Sequence, residues 1–193
     1  LFAKNGRHPE TRVDNYAEWG RRGGWSSSSG RGWANLSNAP FRMYKRYTHE
    51  GGVATPLIVH WPAGMKAKGE LRHAPGHLID IAPTCLAAAG LEGKGMEGQS
   101  LLPVFARDKK QARTLYWEHE GNRAVRKGDY KLVAIHNTPW ELYDMSKDRS
   151  ELKNLSSAMP KKTKELRTAY EAWAKRVGAK PWDEINVKKK KKK

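Results

Sequence analysis

Apolar positions along this chain fall into three patterns, and each predicts a different element. The first is an unbroken run, Leu57-Ile58-Val59, set between Pro56 and Pro62. A short apolar run bracketed by breakers predicts a strand covered on both faces, as in a parallel sheet layered with helices. The second is Leu78-Ile79-Asp80-Ile81-Ala82-Pro83, leading into Leu86-Ala87-Ala88-Ala89-Gly90. It predicts a short buried helix. Asp80 can accept from the orphan amides of the first turn, Pro83 is tolerated there, and Gly90 can take the left-handed position past the last turn. Cys85 falls inside this stretch and reads as a small core residue.

The third pattern begins at Leu115. Residues 115–118 and 122–126 are strand-like, Lys127-Gly128 predicts a tight turn, and 129–135 and 140–144 predict two more strands. After Pro160, the residues Leu166, Ala169, Tyr170, Trp173 and Val177 recur at spacings of three and four. That is one face of an amphipathic helix, which Gly178 can end. The second half therefore reads as an antiparallel sheet with one helix packed on it.

Composition adds three things. Residues 1–31 are rich in Gly, Arg and Ser and show no apolar period, so they read as a long loop. Eight Trp, seven Tyr and three Phe argue for folded structure in spite of a hydrophobic share of only 38%. The formal net charge is +17, and the run 188–193 is all Lys. Such an excess attracts polyanions without sequence specificity, and its plainest reading is a solvated surface with a disordered tail. The single Cys excludes an internal disulfide. No run approaches the ~18 apolar residues of a membrane span.

Generic chemical motifs are absent: no phosphate-loop glycines, no paired Cys-x-x-Cys, no His-Glu-x-x-His and no Gly-x-Ser-x-Gly occur. The seven histidines show no metal-ligand spacing. Glu118-His119-Glu120 could serve as acid and base groups, but reads more simply as an exposed strand end. One segment is more informative. Lys45-Arg46-Tyr47-Thr48-His49-Glu50-Gly51-Gly52, followed by Pro56 and the apolar run, resembles the sulfatase signature Lys-x-x-Thr-x-Glu-Gly-Gly. Asp80-Ile81-Ala82-Pro83-Thr84 is similar to that family's Asp-x-x-Pro-Thr helix start, and Gly98-Gln99-Ser100-Leu101-Leu102-Pro103 to its Gly-x-Ser-Leu-x-Pro loop. Residues 126–132 and 140–144 resemble the hairpin and following strand of its C-terminal subdomain. Five pieces in order, from about Gly32 to Trp182, make the likeness specific.

The resemblance implies a sulfatase of the alkaline-phosphatase-like superfamily, and specifically its C-terminal portion. The implied fold class is α/β: the edge of the large mixed sheet, then a small antiparallel sheet with a packed C-terminal helix. Residues 1–105 would be the remainder of the catalytic domain, 106–182 the C-terminal subdomain and 183–193 a Lys-rich disordered tail. Members hydrolyse sulfate esters with a formylglycine, made from Cys or Ser in a Cys/Ser-x-Pro-x-Arg motif, and a divalent cation, usually calcium. Lys45 is the implied catalytic residue. An ammonium on a flexible stem brings a compact charge with three donors to a sulfate, and to the bridging oxygen where charge builds. Gly51 and Gly52 would let the backbone pass close to a ligand or another strand, and Glu50 would hold the loop by ion pairing with a neighbouring Lys or Arg.

The sequence also departs from the family pattern. No Cys/Ser-x-Pro-x-Arg is present. The nucleophile and the first metal-ligand pair are expected in a segment preceding Leu1, and the chain alone is expected to be inactive. Leu1-Phe2-Ala3-Lys4-Asn5-Gly6 resembles the strand end that leads to the family's Asp-Asn-Gly. Lys4 then stands where a metal-ligand Asp belongs, and Asn5 is the candidate metal ligand through its carbonyl oxygen. Expected partners are a sulfated small molecule or polysaccharide, and the family suggests a periplasmic or extracellular setting. Two alternatives remain at this stage. One is a basic module binding polyanions or nucleic acid through Arg, Gly and Trp. The other is a phosphoesterase of the same superfamily, in which Lys45 would meet a phosphate.

Overall fold

The alternation seen after Leu115 does build a sheet. In the computed structural model, which describes residues 30–66, 69–108 and 113–186, four strands form an antiparallel meander in the order β1-β2-β3-β4. They are β1 (Thr114–His119), β2 (Asn122–Lys127), β3 (Tyr130–Ala134) and β4 (Glu141–Asp144). Register pairs Trp117 with Ala124, Val125 with Leu132, and Leu132 with Leu142. Glu120 and Gly121 join β1 to β2 at φ of 50° and 81°, the left-handed pair a two-residue hairpin turn needs. The turn between β2 and β3 is Gly128-Asp129, one residue later than the sequence pattern suggests. Gly128 carries the positive φ of 60° there.

The sheet has two unlike faces. On one, Val125, Leu132 and Leu142 are fully buried against Leu166 and Tyr170 of helix α5 (Pro160–Val177). The α5 stripe is the one its three- and four-residue spacing predicts, apart from Val177, which is exposed. Pro160 opens the helix and Gly178, at φ 69°, closes it; neither position needs an N–H inside the helical ladder or a Cβ. Trp173 stacks on Tyr116 with ring centroids 5.0 Å apart. The other face carries Ala124, Val133 and Tyr143 with Met145, but also Lys131 and Glu141 at alternate positions of β3 and β4. That face receives the loop around residues 41–50.

The first half is built from short elements: α1 (Gly30–Asn38), α2 (Glu50–Val53), α3 (Ile81–Ala88) and α4 (Leu102–Ala106). A 3-10 turn, Leu78–Asp80, runs directly into α3. The strand predicted at 57–59 is not formed among the described residues: the segment is extended and unpaired, and Ile58 is 91% exposed. A strand exists by pairing, and no described segment runs beside this one. Nor is α3 buried. Only Pro83 is, whereas Ile81 and Cys85 are exposed. Asp80 is fully buried, yet it caps one turn earlier than predicted. It accepts from His77 N at 2.7 Å and Gln99 N at 3.0 Å, and pairs with Arg113 at 2.8 Å.

Cys85 should react with a thiol reagent in the native chain without denaturant. Protection until the chain unfolds would show that the helix is covered in solution. At the C-terminal end, Trp182–Ile185 forms a last turn of helix, α6, where a disordered tail was expected from 183. Asp183 there accepts from His136 at 3.0 Å. Residues 187–193 lie outside the described residues. No described helix is long and apolar enough to cross a membrane.

Candidate functional site

The Lys45 segment folds as a tight excursion pinned at both ends. Tyr47 N donates to Tyr44 O at 3.1 Å, closing a turn whose two central residues are Lys45 and Arg46. Arg46 sits at φ 97° and Met43 at φ 64°, left-handed values that a non-glycine residue holds only when its surroundings enforce them. Gly51 N donates to Arg42 O at 2.9 Å, bringing the two arms of the loop together. A Cβ on Gly51 would lie 2.2 Å from Met43 O, and one on Gly52 would lie 1.9 Å from Tyr47 O. Both positions therefore require glycine. The close approach is to the loop's own carbonyls, where the sequence suggested a ligand or another strand.

Side chains then fasten this loop to the polar face of the sheet. The Arg42 guanidinium donates to Tyr143 Oη and to Glu151 O, each at 2.7 Å, and pairs with Glu141 at 3.4 Å. His49 is 1% exposed, and its Nε2 lies 3.2 Å from the Glu141 carboxylate. Burial drives the His49 pKa below its ordinary value in spite of nearby Glu151 and Glu141. Because a carboxylate only accepts, Nε2 is the nitrogen that donates to Glu141. Burial would raise Glu141, but hydrogen bonds from Tyr143 and His49 and the charge of Arg42 hold it below the usual carboxylate range. Tyr143 is pushed up, by burial first and by Glu141 second.

Glu50 makes the deepest contact. Its carboxylate pairs with Lys131 at 2.9 Å and Arg149 at 3.2 Å, and Lys131 also pairs with Glu151 at 2.9 Å. The Lys131 and Glu151 side chains are 0% exposed. Glu151 also accepts from the backbone N of Glu50 at 2.9 Å. Burial alone would raise the Glu50 pKa; Lys131 and Arg149 outweigh it and lower it. Ion pairing of Glu50 was legible in the sequence. Its partners were not, since they lie 81 and 99 residues away on the sheet and the loop after it.

Against this background Lys45 stands apart. Its side chain is exposed and takes part in no hydrogen bond or ion pair among the described residues, whereas Arg42, Lys131 and Arg149 are all engaged. Its neighbour Arg46 pairs with Glu120. The possible acid–base trio is spent on the hairpin: Glu118 accepts from Gly121 N at 2.9 Å and Glu120 holds Arg46, which leaves His119 exposed at the strand end. Asn5 and Lys4, the candidate metal position and its departure, lie outside the described residues. Among the described residues no group of three or more His, Cys, Asp or Glu is placed to hold a metal ion, so these residues do not by themselves fit the family's divalent cation. What the arrangement offers is an exposed ammonium on a hydrogen-bonded turn, without a partner among the described residues, that can meet an anion.

Comparison with known proteins places this geometry in context. A model of the family "N-sulphoglucosamine sulphohydrolase, C-terminal" matches residues 41–175. An uncharacterized sulfatase of Schizosaccharomyces pombe is 33% identical over 151 residues, covering 69% of this chain and 27% of that protein. The N-acetylglucosamine-6-O-sulfatase of Bacteroides thetaiotaomicron is 33% identical over 140 residues, covering 63% and 25%. Among solved structures, Ps i-CgsB in complex with k-i-k-neocarrahexaose superposes with a TM-score of 0.64 at 25% identity, over 72% of this chain and 34% of that one. The chain thus spans about a quarter of the length of these curated relatives.

Proposed function

This chain belongs to the sulfatase family through its C-terminal domain, and on that premise we propose that it serves a hydrolase of sulfate esters in which Lys45 binds the sulfate. The substrate class we assign is a sulfated sugar, the kind of molecule named for the relatives. The observation that carries the proposal is the contrast around Lys45. The Arg42, Glu50, Lys131 and Glu151 contacts are spent on holding a turn, and the cation on that turn is exposed and has no hydrogen-bond or ion-pair partner among the described residues. Preorganised charge is what stabilises a leaving oxygen more in the transition state than in the bound ester.

Within the chain's own residues, the chemistry we assign is limited to binding and charge stabilisation. The formylglycine and the divalent cation that the family uses would be supplied by residues outside those described, and Cys85, followed by Leu86-Ala87, is not the nucleophile motif. The exposed run at Leu57, Ile58 and Val59 supports the same reading, because so much apolar surface suits a strand that pairs within a larger sheet. The chain by itself would then be inactive.

The test starts from the gene. An in-frame Cys/Ser-x-Pro-x-Arg is expected upstream of Leu1, and the complete product should hydrolyse a sulfated sugar. In that product Lys45→Ala should lower kcat by about 10²–10³, the typical loss of one preorganised donor to a developing oxyanion. The melting temperature should stay within a few degrees, since the side chain is exposed. Lys94→Ala, an exposed lysine elsewhere on the surface, should leave turnover unchanged. Full activity in Lys45→Ala, or equal losses in both variants, would remove Lys45 from the mechanism.

A further inference from the structure

Asn122 is 4% exposed, and every hydrogen-bonding group of its amide is used. Its Nδ2 donates to Arg46 O at 3.1 Å and to His119 O at 3.0 Å, while its Oδ1 accepts from His136 N at 3.2 Å. Two donors and one acceptor thus reach three separate segments: the Lys45 turn, the end of β1, and the chain leaving β3. Within a buried site each of these bonds is costly to break, because the carbonyl it leaves behind loses its partner away from water. The tie to the Lys45 turn falls on the carbonyl of Arg46, the residue that sits at φ 97° directly after Lys45. Among the described residues the turn is also linked to the hairpin by the Arg46–Glu120 pair, whose arginine side chain is mostly exposed. An exposed pair of that kind holds geometry weakly.

We propose that Asn122 is a positioning residue for Lys45: its side-chain amide anchors the Lys45–Arg46 turn to the β1–β2 hairpin and so fixes where the ammonium can reach. This rests on the reading of Lys45 as the sulfate-binding cation. The backbone geometry also brings the end of β1 to the same rim, because one nitrogen donates to the carbonyls of both Arg46 and His119. A lysine has a long stem, so its charge stabilises a developing oxyanion only if the backbone beneath it is fixed.

Asn122→Asp is the informative substitution. It keeps the shape and the acceptor for His136 N but removes both donors. Asn122→Ser, which keeps a single short donor, is the second variant and should fall between. Two readouts separate the possible outcomes. In the 193-residue chain, tryptic cleavage after Lys45 and Arg46, followed by mass spectrometry, should be at least about tenfold faster in Asn122→Asp, because the turn opens locally. Cleavage within α5 should not change. In the complete enzyme, Asn122→Asp should lower kcat by about 10- to 100-fold, with a smaller effect on KM. Made in a Lys45→Ala background it should cost less than about twofold, since residues that act through one another are not additive. Unchanged cleavage at the turn, or full additivity with Lys45→Ala, would overturn the assignment. If Lys45→Ala alone left turnover intact, the catalytic reading of Lys45 would fall, and the cleavage rates would still decide whether Asn122 holds the turn.

Discussion

Replacing Lys131 by Met should cost about 3–5 kcal/mol of folding stability, the usual effect of removing one partner from a buried ion pair. Lys131 lies between Glu50 and Glu151 at 2.9 Å from each, with no exposure of its own side chain. Its loss leaves two carboxylates close together in a buried site. Arg149 can answer only one of them, and its side chain is half exposed. A folded domain is stable by only ~5–15 kcal/mol, so the variant should unfold at far lower urea. The pH dependence should also invert. Glu50 is held below its ordinary value of 4.5 in the folded chain. Its contribution is therefore complete above that value and is lost as pH falls through the folded pKa. Without Lys131, burial would instead favour the protonated form of Glu50, and the deficit of the variant should shrink on acidification. The triple variant Glu50→Gln, Lys131→Met, Glu151→Gln should recover part of the loss, because no charge is left uncompensated. A urea midpoint for Lys131→Met close to that of the parent chain at pH 7 would mean that the network contributes nothing.

Gly52→Ala should be nearly as damaging, by about 3 kcal/mol or more, at the upper end of overpacking costs. The added methyl would meet Tyr47 O at 1.9 Å and Tyr44 O at 2.8 Å. Both are backbone carbonyls, so no side chain can swing aside. They are also the carbonyls on either side of Lys45 and Arg46, and the strain should open the Lys45 turn as well as lower the melting temperature. Gly178→Ala is the natural comparison. Gly178 has φ 69°, and a methyl added there would meet nothing within 4 Å, so its cost is conformational alone, about 1–2 kcal/mol. Equal melting temperatures for the two variants would show that the loop around Gly52 is looser than its hydrogen bonds imply.

The elements that were legible in the sequence are those whose pattern is completed locally. The β1–β2–β3–β4 meander and α5 follow from alternation, from hairpin glycines and from a stripe at helical spacing. Each of these signals refers to residues within one turn or one strand pair. The run at 57–59 carried just as clear an apolar pattern, but the pattern states what a segment prefers to bury and not what lies beside it. It is unpaired among the described residues. For the same reason the stretch with Cys85 looked internal and is a largely exposed helix.

The candidate site divides along the same line. The resemblance of Lys45-x-x-Thr48-x-Glu50-Gly51-Gly52 to a known signature is what singled out Lys45, whereas the need for glycine at 51 and 52 follows from the backbone carbonyls that a Cβ would meet there. Nothing in the spacing pointed to Asn122, Lys131, Tyr143 or Glu151. Lys131 occupies an alternate position in β3, where a lysine ordinarily marks the solvent side, and Asn122 opens β2 as any turn-forming residue would. Alternation reports which face of a strand a side chain leaves from, never what packs on that face. Only when the loop at 41–50 folds onto the sheet, some 80 to 100 residues away in the chain, do these side chains become buried. At that point their charges and hydrogen bonds must be satisfied by one another. Local pattern was therefore sufficient for the strands and the helix, whereas the docking of one half on the other selected the polar residues that hold the turn carrying Lys45.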